Sequence, residues 1–272
     1  MLTKKQVQQF ADVGYTLTDQ LFTDAELDQF VARIEEARTE WGKTMRGNNP
    51  FVCGLERSHQ FAMDALTAKP IVEAAMQLLG PDLDIFSGSQ IAYKPAKSGS
   101  SFIWHQDGGY SYCEPAHYLT IWLALDDATV ENGTIWVIPG SYKWGRLTHR
   151  RSKDNHNDMV GYDESHPYQG VPVEAKRGQA AMFSSLTLHK SGQNTTDKPR
   201  RAWVMQYCQP GTYNPRNGAL YSAFAVTRDG KRLCERFPIR EDIEKQRWAG
   251  EIIEGNAVPQ AAVEKLAAAA AR

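Results

Sequence analysis

Between about residues 83 and 210 the chain is a succession of short apolar runs, rich in β-branched and aromatic side chains, with no helical segment alternating among them. The runs are Leu83 to Lys94, Tyr118 to Leu125, Thr134 to Ile138, Gln179 to Phe183 and Ala202 to Gln209, and Gly, Pro and Asn punctuate them. Strands spaced in this way favour an antiparallel sandwich or barrel over a parallel α/β sheet, whose crossovers consume helices.

Helices are expected to brace this β-core from the N-terminal side. Thr3 with Gln6, and Thr23 with Glu26, have the spacing of a capping box, so each marks a helix start. After the second cap, Leu27, Phe30, Val31 and Ile34 form one apolar stripe. A third helix is predicted over Pro70 to Leu79, with proline in its first turn and Gly80 as terminator. The whole chain, 1–272, reads as one domain: N-terminal helices over 1–82, a core over about 83–210 and a C-terminal extension over 211–272. The last dozen residues, ending in an alanine run, read as a terminal helix or frayed tail.

Lys and Arg (31) nearly cancel Asp and Glu (32), so no global field draws the protein to nucleic acid or to an anionic membrane, and a small molecule is the expected partner. No segment approaches the roughly 18 uninterrupted apolar residues of a membrane span, and the start lacks a secretory leader pattern. A soluble, cytoplasmic protein is expected. Cys53, Cys113, Cys208 and Cys234 lie far apart with no CxxC pair, which argues against a zinc knuckle or a disulfide framework. They are expected as reduced thiols, with Cys113 near the candidate site.

Residues 144–172 are long, polar and irregular, and hold Arg146, His149, Arg150, Arg151, Lys153, His156 and His166. Such a stretch inside a compact domain is expected to be a functional lid or a mobile surface loop. Its basic character suits an anionic substrate such as a carboxylate, a phosphate or a thioester of coenzyme A, against the duller reading of a solvated lid.

The sharpest chemical signal is His105-Gln106-Asp107. In an extended segment residues i and i+2 share a face, so an imidazole and a carboxylate project side by side, two metal ligands from three residues. His189, directly after the strand candidate ending at Phe183, supplies a second histidine. Two histidines and one carboxylate make the facial triad of non-haem iron, which leaves adjacent positions open for a chelating 2-oxo acid and for dioxygen. A closed structural zinc site needs four protein ligands, usually with Cys, and none is placed for it. Arg200, eleven positions after His189, offers a fixed fork of donors for the far carboxylate of a chelated keto diacid. Ser191 shares the strand face of His189 and could bond the same carboxylate.

Several spaced motifs together resemble the phytanoyl-CoA dioxygenase-like (PhyH) family of Fe(II)/2-oxoglutarate oxygenases. They are Trp104 to Asp107, Ile121 to Thr134, Val137-Ile138-Pro139-Gly140-Ser141, His189 to Asn194 and Pro199-Arg200-Arg201, in the family's order, with Phe10 to Tyr15 similar to its opening helix and exit. The resemblance implies a mainly β fold with flanking helices, a double-stranded β-helix or jelly roll, with iron on His105, Asp107 and His189. It implies 2-oxoglutarate contacts at Gln90, Trp122, Ser191 and Arg200; Gln90 reads equally as an ordinary strand polar residue, and Trp122, taken alone, as a core tryptophan. The implied reaction couples oxidative decarboxylation of 2-oxoglutarate, to succinate and CO2, with O2-dependent hydroxylation or related oxidation of a small metabolite. Ascorbate is a candidate stimulant. In halogenating relatives a small residue replaces the carboxylate ligand; here Asp107 is present, so hydroxylation or another oxidation is the expected outcome.

Two departures stand out. Tyr142 occupies the position of a histidine in many relatives, a change expected to affect the turn rather than the iron, and the stretch after Lys143 matches no subfamily, which leaves the substrate open. Trp104, Tyr110 and Tyr112 flank the HxD turn and could stack on a substrate or simply pack. The alternatives are a cupin-type metal activity without 2-oxoglutarate, which leaves Arg200 and Ser191 without a purpose, and a catalytically silent sensor of the same fold, for which no lost residue speaks.

Overall fold

The computed structural model describes residues 1–44, 51–98, 101–151, 159–160, 170–239, 252–253, 255–257 and 259. The N-terminal signals act as expected. Helix α1 (Lys4–Val13) begins at Thr3, whose hydroxyl accepts from the Gln6 amide while Gln6 reaches back, and it ends on Gly14 in the left-handed region at φ 81°. Helix α2 (Asp24–Thr44) starts on the matching exchange between Thr23 and Glu26. Helix α3 (Gln60–Leu66) has no side-chain cap and was not anticipated, whereas α4 (Lys69–Leu79) carries Pro70 in its first turn and stops at Gly80.

The strands, in chain order, are β1 (Tyr15–Leu17), β2 (Phe51–Cys53), β3 (Leu83–Lys94), β4 (Phe102–His105), β5 (Leu119–Ala124), β6 (Ile135–Val137), β7 (His149–Arg151), β8 (Met159–Val160), β9 (Val171–Val173), β10 (Ala180–Ser184), β11 (His189–Ser191), β12 (Arg200–Cys208), β13 (Ser222–Arg228), β14 (Lys231–Arg232) and β15 (Ile252–Ile253). Eight form a sheet ordered β1-β10-β5-β12-β3-β13-β14, with β2 also paired to β3, and four form a second sheet ordered β4-β11-β6-β9. From β3 to β6, and again from β9 to β12, consecutive strands alternate between these two sheets, in the jelly roll that the family resemblance implied.

The larger sheet is apolar on both faces. Leu119, Ile121, Leu123, Trp203, Met205 and Tyr207 face the helices and pack with Leu27, Ile34, Leu66 and Ile71 in the main core. The alternate positions Trp122, Ala124, Ala202 and Val204 face the smaller sheet and meet Ile135, Val137 and Val173. All six residues of β5 are therefore buried, and its sequence reads as an apolar run interrupted only by Thr120. Edge-to-face contact of Phe30 with Trp203, at 5.6 Å between ring centroids, fixes α2 on the sheet.

Two expectations need correction. The stretch 144–172 is not wholly irregular: β7 pairs with β8 and with β15 from the C-terminal extension, and Val171–Val173 forms the edge of the smaller sheet, where Pro172 is tolerated. Strands of two or three residues are too short to leave a periodic trace. The β-structure also does not stop at 210, because β13 and β14 extend the larger sheet. The rest of the proposed lid, and the terminal alanine run, lie outside the described residues. Among the described residues no helix is long and apolar enough to cross a membrane.

Candidate metal centre

Antiparallel pairing of β4 with β11 sets His105 directly opposite His189. The chain leaves β4 at His105 and enters a tight 3-10 turn over Asp107–Gly109, which the Gly108 amide ties to Ser185 O at 2.9 Å. The Asp107 carboxylate thereby comes back over the two imidazoles. Its Oδ1 lies 3.5 Å from His189 Nε2 and 3.9 Å from His105 Nε2, and the three candidate ligand atoms all lie within 4.8 Å of one another. Among the described residues this is the group of His, Cys, Asp and Glu side chains able to hold a metal ion.

The donors are oriented for that purpose. Nδ1 of His105 sits 2.7 Å from Ile103 O and Nδ1 of His189 sits 3.0 Å from Thr187 O, so each ring gives its proton to a carbonyl and presents a bare Nε2. Burial, helped by neighbouring His189, holds His105 well below the ordinary histidine range, in the neutral form a metal requires. Asp107 is steadied from behind: its Oδ2 accepts from the Thr120 hydroxyl and, at 3.3 Å, from Gln206 Nε2. Thr120 and Gln206 are register partners on β5 and β12.

Gln106, between the two HxD ligands, is fully buried and fully used. Its Nε2 donates to Leu186 O at 2.6 Å and Gly145 O at 2.9 Å, and its Oε1 accepts from the Leu147 amide. Its own amide donates to Nε2 of His149. Burial pushes His149 down to about 4, so it is neutral near pH 7.

Arg200 is 1% exposed, and burial pushes it down to about 10 against the opposing pull of Asp126. Its Nη2 donates to Gly133 O at 2.8 Å and Nη1 to Ala92 O at 3.3 Å, its Nε has no partner, and its guanidinium lies 5.2 Å from the Trp122 ring. The adjacent Arg201 turns outward into ion pairs with Asp126 and Glu35. A buried cation beside two carbonyls and an aromatic face, with one N–H left over, is chemically suited to receive an anion. Ser191 is buried two residues beyond His189 and accepts from the Phe102 amide at 3.3 Å. Gln90 and Trp122 share a row, both opposite Val204, and Gln90 Oε1 lies 3.9 Å from the Cys53 thiol.

Sequence reasoning missed Thr120, Gln206, Gln106 and His149, and also Lys94, which is buried opposite Arg200 and donates to Gly192 O. Thr120 and Gln206 did carry a signal, as polar residues at inward positions of apolar strands. Trp104 is packed with Ile138, Leu147 and Leu188. Tyr110 meets His105 edge-on at 5.2 Å, and Tyr112 lies between Arg146 (3.7 Å) and Arg216 (4.8 Å). Arg150 is exposed on β7. Tyr142 donates its hydroxyl to Ala11 O and so ties its turn to α1.

Comparison with known proteins agrees with this geometry. The sequence signature of the phytanoyl-CoA dioxygenase (PhyH) family matches residues 10–202. Phytanoyl-CoA dioxygenase domain-containing protein 1 of Mus musculus is 29% identical over 206 residues, 69% of this chain and 70% of that protein. A phytanoyl-CoA dioxygenase of Arabidopsis thaliana is 30% identical over 131 residues, 47% of this chain and 45% of its own. Among solved structures, the non-heme monooxygenase ThoJ superposes with a TM-score of 0.68 at 24% identity, over 98% of this chain and 94% of that one. The epimerase SnoN, in complex with Fe3+, alpha ketoglutarate and nogalamycin RO, superposes with a TM-score of 0.66 at 20% identity, over 88% and 96% of the two chains. This chain belongs to the phytanoyl-CoA dioxygenase family.

Proposed function

We propose that the protein is an Fe(II)- and 2-oxoglutarate-dependent oxygenase that oxidises a small organic molecule. One observation supports this above all: His105 and His189, both buried, meet the half-buried Asp107, and Arg200, on the strand face of Ala202 and Val204 that packs toward the smaller sheet, is a buried guanidinium with no ion pair among the described residues.

His105 and His189 would hold the metal through Nε2, and Asp107 through Oδ1. Arg200 takes the far carboxylate of 2-oxoglutarate on its free Nε edge, the Ser191 hydroxyl donates to the same group, and the Trp122 face closes one wall; Gln90 lines the next position of that row. Iron(II) bound there, with 2-oxoglutarate as co-substrate and O2 as oxidant, would supply oxidative decarboxylation to succinate and CO2 coupled to hydroxylation or a related oxidation. The tight packing of Phe183 on His189, at 4.6 Å between ring centroids, keeps water off the side of the site that faces the core. A small-molecule substrate is supported by the structural neighbour SnoN, whose complex contains nogalamycin RO.

The test is succinate release, with O2 consumption, from protein supplied with Fe(II), ascorbate and 2-oxoglutarate, and its dependence on Asp107. Loss of turnover in Asp107→Ala is expected, and full activity in that variant refutes the ligand assignment. A protein that binds Fe(II) and 2-oxoglutarate yet releases no succinate above background with any of a broad metabolite panel is a sensor rather than an oxygenase.

A further inference from the structure

We infer that His149 is a positioning residue for the metal centre, acting through the backbone amide of Gln106. This rests on the reading of His105, Asp107 and His189 as metal ligands. His149 is fully buried, and both ring nitrogens are committed. Nδ1 lies 2.8 Å from Leu147 O and must donate; Nε2 lies 2.9 Å from the Gln106 nitrogen and must accept. The Gln106 amide belongs to the peptide that joins it to His105, and the next residue is Asp107. Holding that N–H fixes the orientation of the peptide plane on which the angle between the two ligands depends.

The turn is built to receive this ring. A Cβ on Gly109 would lie 2.1 Å from His149 Cδ2, so only glycine leaves room for the imidazole against the backbone. Gln106 completes the grip from its side chain, bonding Gly145 O and the Leu147 amide on the strap that carries His149, and Leu186 O on the segment leading to His189. The strap from Gly145 to His149 thus fixes the HxD turn and, through Gln106, the approach of the third ligand. The same histidine opens β7, so the small sheet β8-β7-β15 is anchored on the metal site.

Two polar substitutions separate positioning from packing. In His149→Gln an amide oxygen reaches the place of Nε2 and can accept from Gln106; in His149→Asn the amide reaches only the place of Nδ1. The probe is Co(II), titrated into the metal-free full-length protein, with affinity and visible absorption spectrum as readouts. His149→Asn is expected to weaken Co(II) binding about 10- to 100-fold and to alter the spectrum, the usual cost of losing an outer-shell partner, while His149→Gln retains the affinity and spectrum of the unmodified protein. Equal behaviour of the two variants, whether both intact or both impaired, overturns the inference.

Should either variant fail to fold, NMR of the unmodified Zn(II)-loaded protein decides: a trans-hydrogen-bond coupling between Gln106 N and His149 Nε2 is expected, and its absence overturns the inference. His189→Ala is the control for the underlying reading. If that variant binds Co(II) as tightly as the unmodified protein, the metal centre itself is misassigned and the inference falls with it. If His189→Ala loses Co(II) while the two His149 variants match each other, the centre stands and only the role of His149 is refuted.

Discussion

Thr120 donates its hydroxyl hydrogen to Oδ2 of Asp107, and this leaves Oδ1 as the oxygen turned toward both imidazoles. The hydroxyl sorts the two carboxylate oxygens into one that is held and one that is offered. Thr120→Val preserves shape and removes the donor, leaving only the longer bond from Gln206. Its expected effect is a loss of about 10- to 100-fold in Zn(II) affinity, measured against a chromophoric chelator, with the fold intact. An unchanged affinity would mean that Gln206 alone suffices.

Arg200 and Arg201 are neighbours with opposite assignments, and substitution should show it. Arg200→Met removes the buried cation proposed to hold the co-substrate carboxylate, and the expected change is about 2–5 kcal/mol for truncating one partner of a buried charge pair, or a rise of at least about thirtyfold in the KM for 2-oxoglutarate. Arg200→Lys should recover little, because a single ammonium cannot reproduce the planar fork. Metal affinity should not change in either. Arg201→Met breaks the pairs with Asp126 and Glu35 and should lower thermal stability while leaving that KM alone. A common effect of both substitutions on KM would refute the division.

The parts of this site that were legible in the sequence are those whose chemistry is local. His105 ends β4 and Asp107 opens the turn two residues on, rather than continuing an extended segment, and Arg200 follows His189 at short range, so residue type and spacing suggested a shared ion and an anchor. Thr120 and Gln206 showed in the sequence only as polar residues within apolar strands; their meeting at Asp107 was not legible, because it depends on β5 lying beside β12, and no local pattern states which strands pair. His149 was misplaced for a related reason. In sequence it is one of several basic residues in a polar stretch, yet it turns inward while Arg150 beside it is exposed. Helix α3 lacked a capping side chain, and β13 lay beyond the strand that carries Arg200, where the motifs had run out.

Burial sets the reactivity of the cysteines. Cys113 and Cys208 pack with Phe86, Tyr118 and Tyr221, and desolvation pushes both thiols up to about 12. A raised thiol pKa means that the thiolate becomes abundant only as the pH nears that value, so at pH 8 both are almost wholly protonated and shielded. Cys234 is exposed. Brief iodoacetamide labelling of the native protein at pH 8, read by peptide mass spectrometry, should modify Cys234 and spare Cys113 and Cys208, which should react once the protein is unfolded in guanidinium. Native labelling of Cys113 would place it in an open part of the site.

Gly14 joins the N-terminal helix to the metal centre. Its backbone is left-handed at φ 81°, and an added Cβ would lie 2.5 Å from the Tyr142 ring and 2.8 Å from Thr187 Oγ1. Its carbonyl accepts from the Thr187 hydroxyl and the Ser184 amide. Thr187 is the residue whose own carbonyl orients His189. Gly14→Ala therefore combines backbone strain of about 1–2 kcal/mol with a clash costing about 1–3 kcal/mol more. Gly211 is the control: it has φ 75° but nothing within 4 Å of an added Cβ, so Gly211→Ala carries the strain alone. Chemical denaturation should show the larger loss for Gly14→Ala, and only that variant should also weaken Co(II) binding, because displacing Thr187 moves the carbonyl that holds His189. Equal losses of stability, with metal binding untouched in both, would show that Tyr142 and Thr187 yield freely and that α1 is not coupled to His189.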